Sequence, residues 1–187
     1  MINVNNIIKK SRCNGHGSRF TIWVQGCNRR CLNCFNPETQ PHTPNRLIEV
    51  KTLINEVLST PGIDGISLSG GEPLLQAGEL AELAKAVKTA GLSVMIFTGY
   101  AEIPDTPEIK ELMRYTDMVI AGEYDQTRPS AIPLIGSDNQ RVINLTGRLP
   151  EPQDDDIPRC EIISDGKNIS LSGFPTDAER QEFMKIF

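Results

Sequence analysis

Ile63-Asp-Gly-Ile-Ser-Leu-Ser-Gly-Gly-Glu-Pro73, then Ala77-Gly-Glu-Leu-Ala-Glu-Leu-Ala-Lys-Ala-Val-Lys-Thr-Ala90, then Leu92-Ser-Val-Met-Ile-Phe97 is the stretch on which the fold turns. Its first part is a short apolar strand running into a Gly-Gly-Glu-Pro turn. Its second part carries Leu80, Leu83, Ala84 and Val87 on one stripe of helical period, and Gly91 offers the residue type that ends helices. Its third part is a continuous apolar run, as expected of a strand buried on both faces. Strand, helix, strand with apolar strands predicts a parallel pair joined by a helical crossover.

The pattern continues in both directions. Downstream, Thr106-Pro107-Glu108 predicts a helix start with proline in the first turn, ending near Tyr115. Met118-Val-Ile120 then reads as another short buried strand. Upstream, Phe20-Thr-Ile-Trp-Val-Gln25 is β-branched and aromatic and reads as a strand. Val50, Leu53, Ile54 and Val57 follow the helical period over residues 47–58, and Pro61-Gly62 closes that helix. Residues 36–46 contain Pro37, Pro41 and Pro44 and read as loop. The alternation predicts an α/β fold with a parallel sheet. Residues 125–158 carry five prolines and the acidic run Asp154-Asp155-Asp156 and read as largely irregular. Residues 161–164 and 169–171 predict a small hairpin around Asp165-Gly166, with a short helix from Thr176.

Composition bounds what such a fold does. A chain of 187 residues with 39% hydrophobic and 23% charged residues is a single globular domain with a sizeable core. Nineteen basic against 24 acidic residues give a net charge of −5, so no nucleic-acid partner is expected. No apolar run is long enough to span a bilayer, and the N-terminus lacks the pattern of a secretory signal. A cytoplasmic location without a membrane partner is the expectation.

The cysteines carry the most chemistry. There are five, Cys13, Cys27, Cys31, Cys34 and Cys160, and three of them crowd into Cys27-x3-Cys31-x2-Cys34. An odd count so clustered makes a poor disulfide framework and reads as metal ligation. Three thiolates on one loop hold three irons of a 4Fe-4S cluster and leave the fourth iron open, which is what a catalytic metal needs. Arg29 and Arg30 either offset cluster charge or face solvent. The alternative is structural zinc, which needs a fourth ligand from Cys13, His16, His42 or Cys160. Zinc sites usually show two close pairs of ligands and no second pair exists here, so iron–sulfur is favoured. Cys13 and Cys160 then read as unligated.

The turn Ser69-Gly70-Gly71-Glu72-Pro73 falls where a strand ends and a helix begins, the edge at which parallel sheets bind ligands. Two glycines let backbone approach a ligand closely, and Glu72 can accept a hydrogen bond from a cationic group. By itself the turn also reads as ordinary punctuation. With the cysteine loop after the preceding parallel strand, both features should lie at one edge of the sheet.

These residues resemble the radical S-adenosylmethionine superfamily. Cys27-x3-Cys31-x2-Cys34 matches its cluster motif and Gly70-Gly71-Glu72-Pro73 its methionine-binding motif. Asn14-Gly-His-Gly-Ser-Arg19, Trp23-Val-Gln-Gly-Cys27, Cys34-Phe-Asn-Pro-Glu-Thr39, Phe97-Thr-Gly-Tyr100 and Gly136-Ser-Asp-Asn-Gln-Arg141 resemble the branch that activates glycyl-radical enzymes, in particular anaerobic ribonucleotide reductase. The resemblance implies a partial, incomplete parallel β/α barrel with its core at about 14–145 and an irregular C-terminal extension at about 146–187. It implies a 4Fe-4S cluster on Cys27, Cys31 and Cys34, and S-adenosylmethionine chelating the open iron. Glu72 would take the amino group, Gly70 and Gly71 would shape the pocket, Thr98 and Tyr100 would lie by the ribose, and Phe35 would touch adenine or belong to the core.

An external donor would supply the electron that turns S-adenosylmethionine into methionine and a 5′-deoxyadenosyl radical. That radical would take a hydrogen from a backbone glycine of the partner. The sequence departs from the family at three places. Asn33 stands before the third cysteine where an aromatic is common. His16 stands within Gly15-His16-Gly17 and reads as an exposed loop residue. Ala121 precedes Gly122 where relatives often carry an acid. The alternatives are the same radical chemistry on a small molecule or another protein, and a zinc or iron–sulfur binding module without catalysis.

Overall fold

In the computed structural model the described residues are 1–153, 157–164, 166 and 169–186. Strands β1 (Ile2–Ser11), β2 (Arg19–Val24), β3 (Arg46–Ile48), β4 (Gly65–Gly70), β5 (Ser93–Thr98), β6 (Met118–Ala121) and β7 (Arg141–Asn144) form one open sheet in the order β3-β1-β2-β4-β5-β6-β7. Its centre, β2-β4-β5-β6, is parallel. Both margins are antiparallel, β1 and β3 on one side and β7 on the other. The α/β class and the incomplete barrel are borne out, since the sheet does not close on itself.

Helices α1 (Val50–Ser59), α2 (Ala77–Thr89) and α3 (Pro107–Arg114) cover one face. One apolar cluster joins Leu53 of α1, Leu80 and Leu83 of α2 and Leu112 of α3 to Phe20, Ile22, Ile66, Leu68, Val94 and Ile96 of the sheet. Period-2 alternation sends Met95 and Phe97 of β5, with Met118 and Ile120 of β6, to the other face, where they meet Leu134, Ile135, Leu149 and Ile157. The apolar run over β5 is continuous because both of its faces are covered. Helix α2 ends as the glycine predicts. Gly91 has φ +81°, its N–H donates to the Lys88 carbonyl, and the Leu92 N–H donates to the Val87 carbonyl. Helix α3 starts at Pro107, with the Thr106 hydroxyl accepting from the Ile109 N–H.

Several expectations are corrected. The N-terminal ten residues form β1, hidden in the sequence by Asn3, Asn5 and Asn6. These asparagines are used: Asn3 Oδ1 accepts from the Asn45 N–H at 2.9 Å and Asn5 Nδ2 donates to Gln25 Oε1 at 2.8 Å. The helix expected over 47–58 begins at Val50, because Arg46–Ile48 pairs with β1 instead. The loop expected at 36–46 includes a single 3-10 turn, Pro37–Thr39. Within the supposedly irregular 125–158 lies β7, an edge strand bonded to β6.

Beyond the sheet, β8 (Cys160–Ser164) and β9 (Ile169–Gly173) make the expected hairpin. Helix α4 (Asp177–Ile186) follows. Its cap is reciprocal: Glu179 Oε2 accepts from the Thr176 N–H and the Thr176 hydroxyl accepts from the Glu179 N–H. Asp165 of the expected turn and the run Asp154, Asp155, Asp156 lie outside the described residues. His16 is buried, not exposed as expected. It belongs to the segment that packs over Arg19, whose guanidinium is sealed beneath the sheet. That group donates to Ser67 Oγ at 3.2 Å, Ser93 Oγ at 2.5 Å and the Ser93 carbonyl at 3.2 Å. Burial pulls its pKa down to about 9.

Candidate active site

The carboxyl ends of β2, β4, β5 and β6 open into Gly26-Cys27, Gly71-Glu72, Gly99-Tyr100 and Gly122-Glu123. The cysteine loop is closed at its base, where the Gly26 N–H donates to the Thr39 carbonyl at 2.7 Å and the Cys27 N–H to the Gln40 carbonyl at 3.0 Å. The glycine turn docks directly on that base. The Gly71 N–H donates to the Val24 carbonyl and the Glu72 N–H to the Gly26 carbonyl, each at 2.8 Å. A Cβ on Gly71 would collide with the Gly26 carbonyl oxygen, and one on Gly70 (φ +102°) would lie 2.5 Å from the Val24 nitrogen. Two glycines in succession are therefore what this contact requires. The two motifs lie together at one end of the sheet, as their order in the chain predicts.

Cys27, Cys31 and Cys34 all line one cavity of about 680 Å³, together with Gly70, Gly71, Glu72, Thr98 and Phe35. Each thiol accepts a backbone N–H. Arg29 donates to Cys27 Sγ and Asn36 to Cys34 Sγ, each at 3.4 Å, and Tyr124 donates to Cys31. Burial pushes the Cys27 and Cys31 thiols upward, with the backbone donors working against it. N–H groups aimed at sulfur favour thiolate, the form that ligates iron. Among the described residues no three His, Cys, Asp or Glu side chains form a group that could hold a metal ion as placed. None of Cys13, His16, His42 and Cys160 lines the cavity. A polynuclear cluster asks instead for one thiolate on each of several irons. Three thiols around one cavity fit that demand.

Glu72 is fully buried. Its Oε1 accepts from the Leu74 N–H at 3.0 Å and the Thr98 hydroxyl at 2.8 Å, and its Oε2 from the Gly99 N–H at 2.9 Å. Burial raises its pKa, and the three donors and Arg29 only partly offset that. A carboxylate offers about four acceptor positions, so roughly one is left for a ligand cation. Thr98 thus touches Glu72 directly. Tyr100 sits beside the cysteine loop: its hydroxyl accepts from Asn28 Nδ2 at 2.9 Å, and the Arg29 guanidinium lies 4.0 Å from its ring centroid. Phe35 packs against Tyr124 at 4.4 Å and Phe174 at 5.8 Å between ring centroids, and still borders the cavity. Arg30 is exposed and Arg29 is half-buried.

Some lining residues were not foreseen. Trp23 lies on the face of β2 opposite Phe20, Ile22 and Val24, and the alternation of that strand was the available signal. Leu171, Phe174 and Phe183 come from the hairpin and α4 and close the far wall. Nothing local in their sequence marks them.

Comparison with known proteins agrees with this geometry. The family described as a 4Fe-4S single cluster domain matches residues 13–143. A pyruvate formate-lyase-activating enzyme of Staphylococcus epidermidis (strain ATCC 12228 / FDA PCI 1200) is 33% identical over 147 residues, covering 73% of this chain and 59% of that relative. The protein of the same name from Staphylococcus aureus (strain USA300) is 32% identical with the same coverage. The chain therefore spans under two-thirds of the length of these curated relatives. The resemblance to radical S-adenosylmethionine activating enzymes is borne out by these matches. No helix among the described residues is long and apolar enough to cross a membrane.

Proposed function

The chain belongs to the 4Fe-4S single cluster domain family, and on that premise we propose that it generates a radical from S-adenosylmethionine and passes it to a glycyl-radical enzyme. The observation that carries this reading is the docking of the Gly70-Gly71-Glu72 turn on Gly26, which puts three thiols and one buried carboxylate on one cavity. Cys27, Cys31 and Cys34 would hold the cluster and leave one iron for the amino and carboxylate groups of S-adenosylmethionine. When bound, the cluster supplies one electron, taken from an external donor, that breaks a carbon–sulfur bond of S-adenosylmethionine to give methionine and a 5′-deoxyadenosyl radical.

The protein's own part is placement. Glu72, fixed by Thr98 and Gly99, offers its remaining acceptor position to the ammonium group. Gly70 and Gly71 keep that approach clear. Thr98 and Tyr100 border the ribose, and Phe35 offers a ring edge to adenine. The hairpin and α4 wall one side of the cavity. We read residues 1–187 as one domain, with its core at about 14–145 and an extension from about 146 that completes the wall, working in the cytoplasm.

The proposed partner is anaerobic ribonucleotide reductase. The names of the relatives favour a second partner of the same kind, pyruvate formate-lyase. The test is to mix the reduced, reconstituted protein and S-adenosylmethionine with each enzyme and record electron paramagnetic resonance. A glycyl radical on ribonucleotide reductase is expected. A radical on pyruvate formate-lyase alone would reassign the partner. Rapid formation of 5′-deoxyadenosine with no radical on either would point to a different substrate.

A further inference from the structure

The cavity gathers acidic groups. Three thiols and the carboxylate of Glu72 line it, and Glu38 stands at its border. Among the described residues lining it, Arg29 alone is a lysine or arginine. Its position is over-determined. The backbone N–H of Arg29 donates to Cys27 Sγ at 3.4 Å. Its aliphatic stem lies on Gly99, where a Cβ would come within 2.7 Å of Arg29 Cγ. Its guanidinium stacks 4.0 Å above the centroid of Tyr100 and reaches Glu123 Oε1 at 3.5 Å. Asn28, hydrogen-bonded to Arg29 Nε at 3.4 Å and to the Tyr100 hydroxyl at 2.9 Å, completes the bracket.

The side chain therefore leaves the loop after β2, crosses the end of β5 and reaches the loop after β6. Cation–π contact and an ion pair at a half-buried position favour this one extended conformer. Gly99 ties the bracket to the acid, because its N–H donates to Glu72 Oε2 at 2.9 Å. Neighbouring Arg30, by contrast, has an exposed side chain, and its backbone N–H donates to Cys27.

We propose that Arg29 is a positioning residue of this site: it straps the cysteine loop to the ends of β5 and β6 and supplies the positive charge that the thiolates and Glu72 share. This rests on the functional reading above. A cation on the cysteine loop favours the more negative, reduced state of whatever the thiolates bind, so it raises the reduction potential, an effect tempered by its pairing with Glu123. The strap also fixes the distance between the thiolates and Glu72, so S-adenosylmethionine meets both at once.

The test compares R29M, R29K and E123Q with the unaltered protein after anaerobic reconstitution. Three readouts are used: iron content, the midpoint potential of the cluster, and the S-adenosylmethionine concentration that half-saturates the change in the reduced cluster's resonance spectrum. We expect iron content to hold in all four. We expect R29M to shift the potential downward and to raise the half-saturating concentration roughly tenfold, about 1.4 kcal/mol. R29K should restore the potential but not the concentration, because lysine keeps the charge and loses the planar stack. E123Q, at a side chain 55% exposed where folding is not at stake, should raise the half-saturating concentration by a smaller factor. Should R29M fail to load iron, the E123Q shift decides: present, it supports the strap; absent, it overturns it. An R29M protein matching the original in potential and concentration overturns the inference. If the original protein loads no cluster, or S-adenosylmethionine leaves its spectrum unchanged, the functional reading fails instead.

Discussion

Strands β2, β4, β5 and β6 are buried on both faces, whereas the hairpin β8–β9 leaves Ile162 60% and Ile169 43% exposed. The parallel centre is held by a continuous apolar cluster reaching three helices. The hairpin is held by a handful of contacts. Asn14 Nδ2 donates to Ser172 Oγ at 2.8 Å, Cys13 Sγ to Glu161 Oε1 at 3.2 Å, and Arg159 Nη2 to the Ser130 carbonyl at 3.1 Å, while Phe174 packs on Phe35 and Phe97. Both regions line the same cavity. The centre supplies binding groups at its strand ends and anchors the base of the cysteine loop, and the hairpin supplies wall. Precision is needed where chemistry is anchored, and a weakly fastened segment suffices where a cavity is only closed.

The sharpest way to break this contrast uses one cysteine from each region. Cys31→Ala should abolish 5′-deoxyadenosine formation, while Cys160→Ala, in the hairpin, should leave it within about twofold, both read by chromatography of the reaction mixture. Equal loss in both would erase the division. In the second test, Leu83→Ala removes a fully buried side chain of α2. It should cost about 3 kcal/mol in urea unfolding and lower protection of the whole parallel centre together.

A third test probes the margin of the parallel centre. Asp117, just before β6, accepts from Lys88 Nζ at 2.6 Å, the Val94 N–H at 2.9 Å and the Thr146 hydroxyl at 2.7 Å. Burial pushes its pKa up, but those three donors outweigh it and hold the pKa below the usual carboxylate value. A depressed native pKa means that its stabilisation is complete above the unfolded value, near 3.8, and is lost as pH falls through the native one. Asp117→Asn should cost about 2 kcal/mol at neutral pH, tempered because Lys88 is partly exposed, and should remove this part of the acid sensitivity. Unfolding curves at several pH values below 5 check the slope. The smallest effect is expected from Phe174→Ala, about 1 kcal/mol and local. Amide hydrogen exchange should speed up in β8 and β9 and stay unchanged in β2, β4 and β5. A global loss there would show that the hairpin is as integral as the centre.

The same division explains what the sequence made legible. The centre was readable because its strands are apolar runs and its helices end on glycine or begin on proline, as at Gly91 and Pro107. The cysteine loop and the Gly-Gly-Glu-Pro turn were readable because consecutive residues carry them. Strand β1 was missed because Asn3, Asn5 and Asn6 interrupt its alternation, and the bonds of Asn3 to Asn45 and of Asn5 to Gln25 exist only after folding. Strand β7 was missed among prolines because its identity is lent by β6. Burial of His16 depends on packing around Arg19, a charge that spacing alone would leave in solvent. Phe174 has no local signal, since its neighbours Phe35 and Phe97 are far away in the chain.

The central claim is that three thiolates leave one iron free for S-adenosylmethionine beside Glu72. Electron–nuclear double resonance on the reduced, reconstituted protein with S-adenosylmethionine labelled at its amino nitrogen tests it most directly. The account predicts a resolved nitrogen coupling that disappears when the labelled compound is left out. A fully loaded cluster showing no such coupling would contradict it.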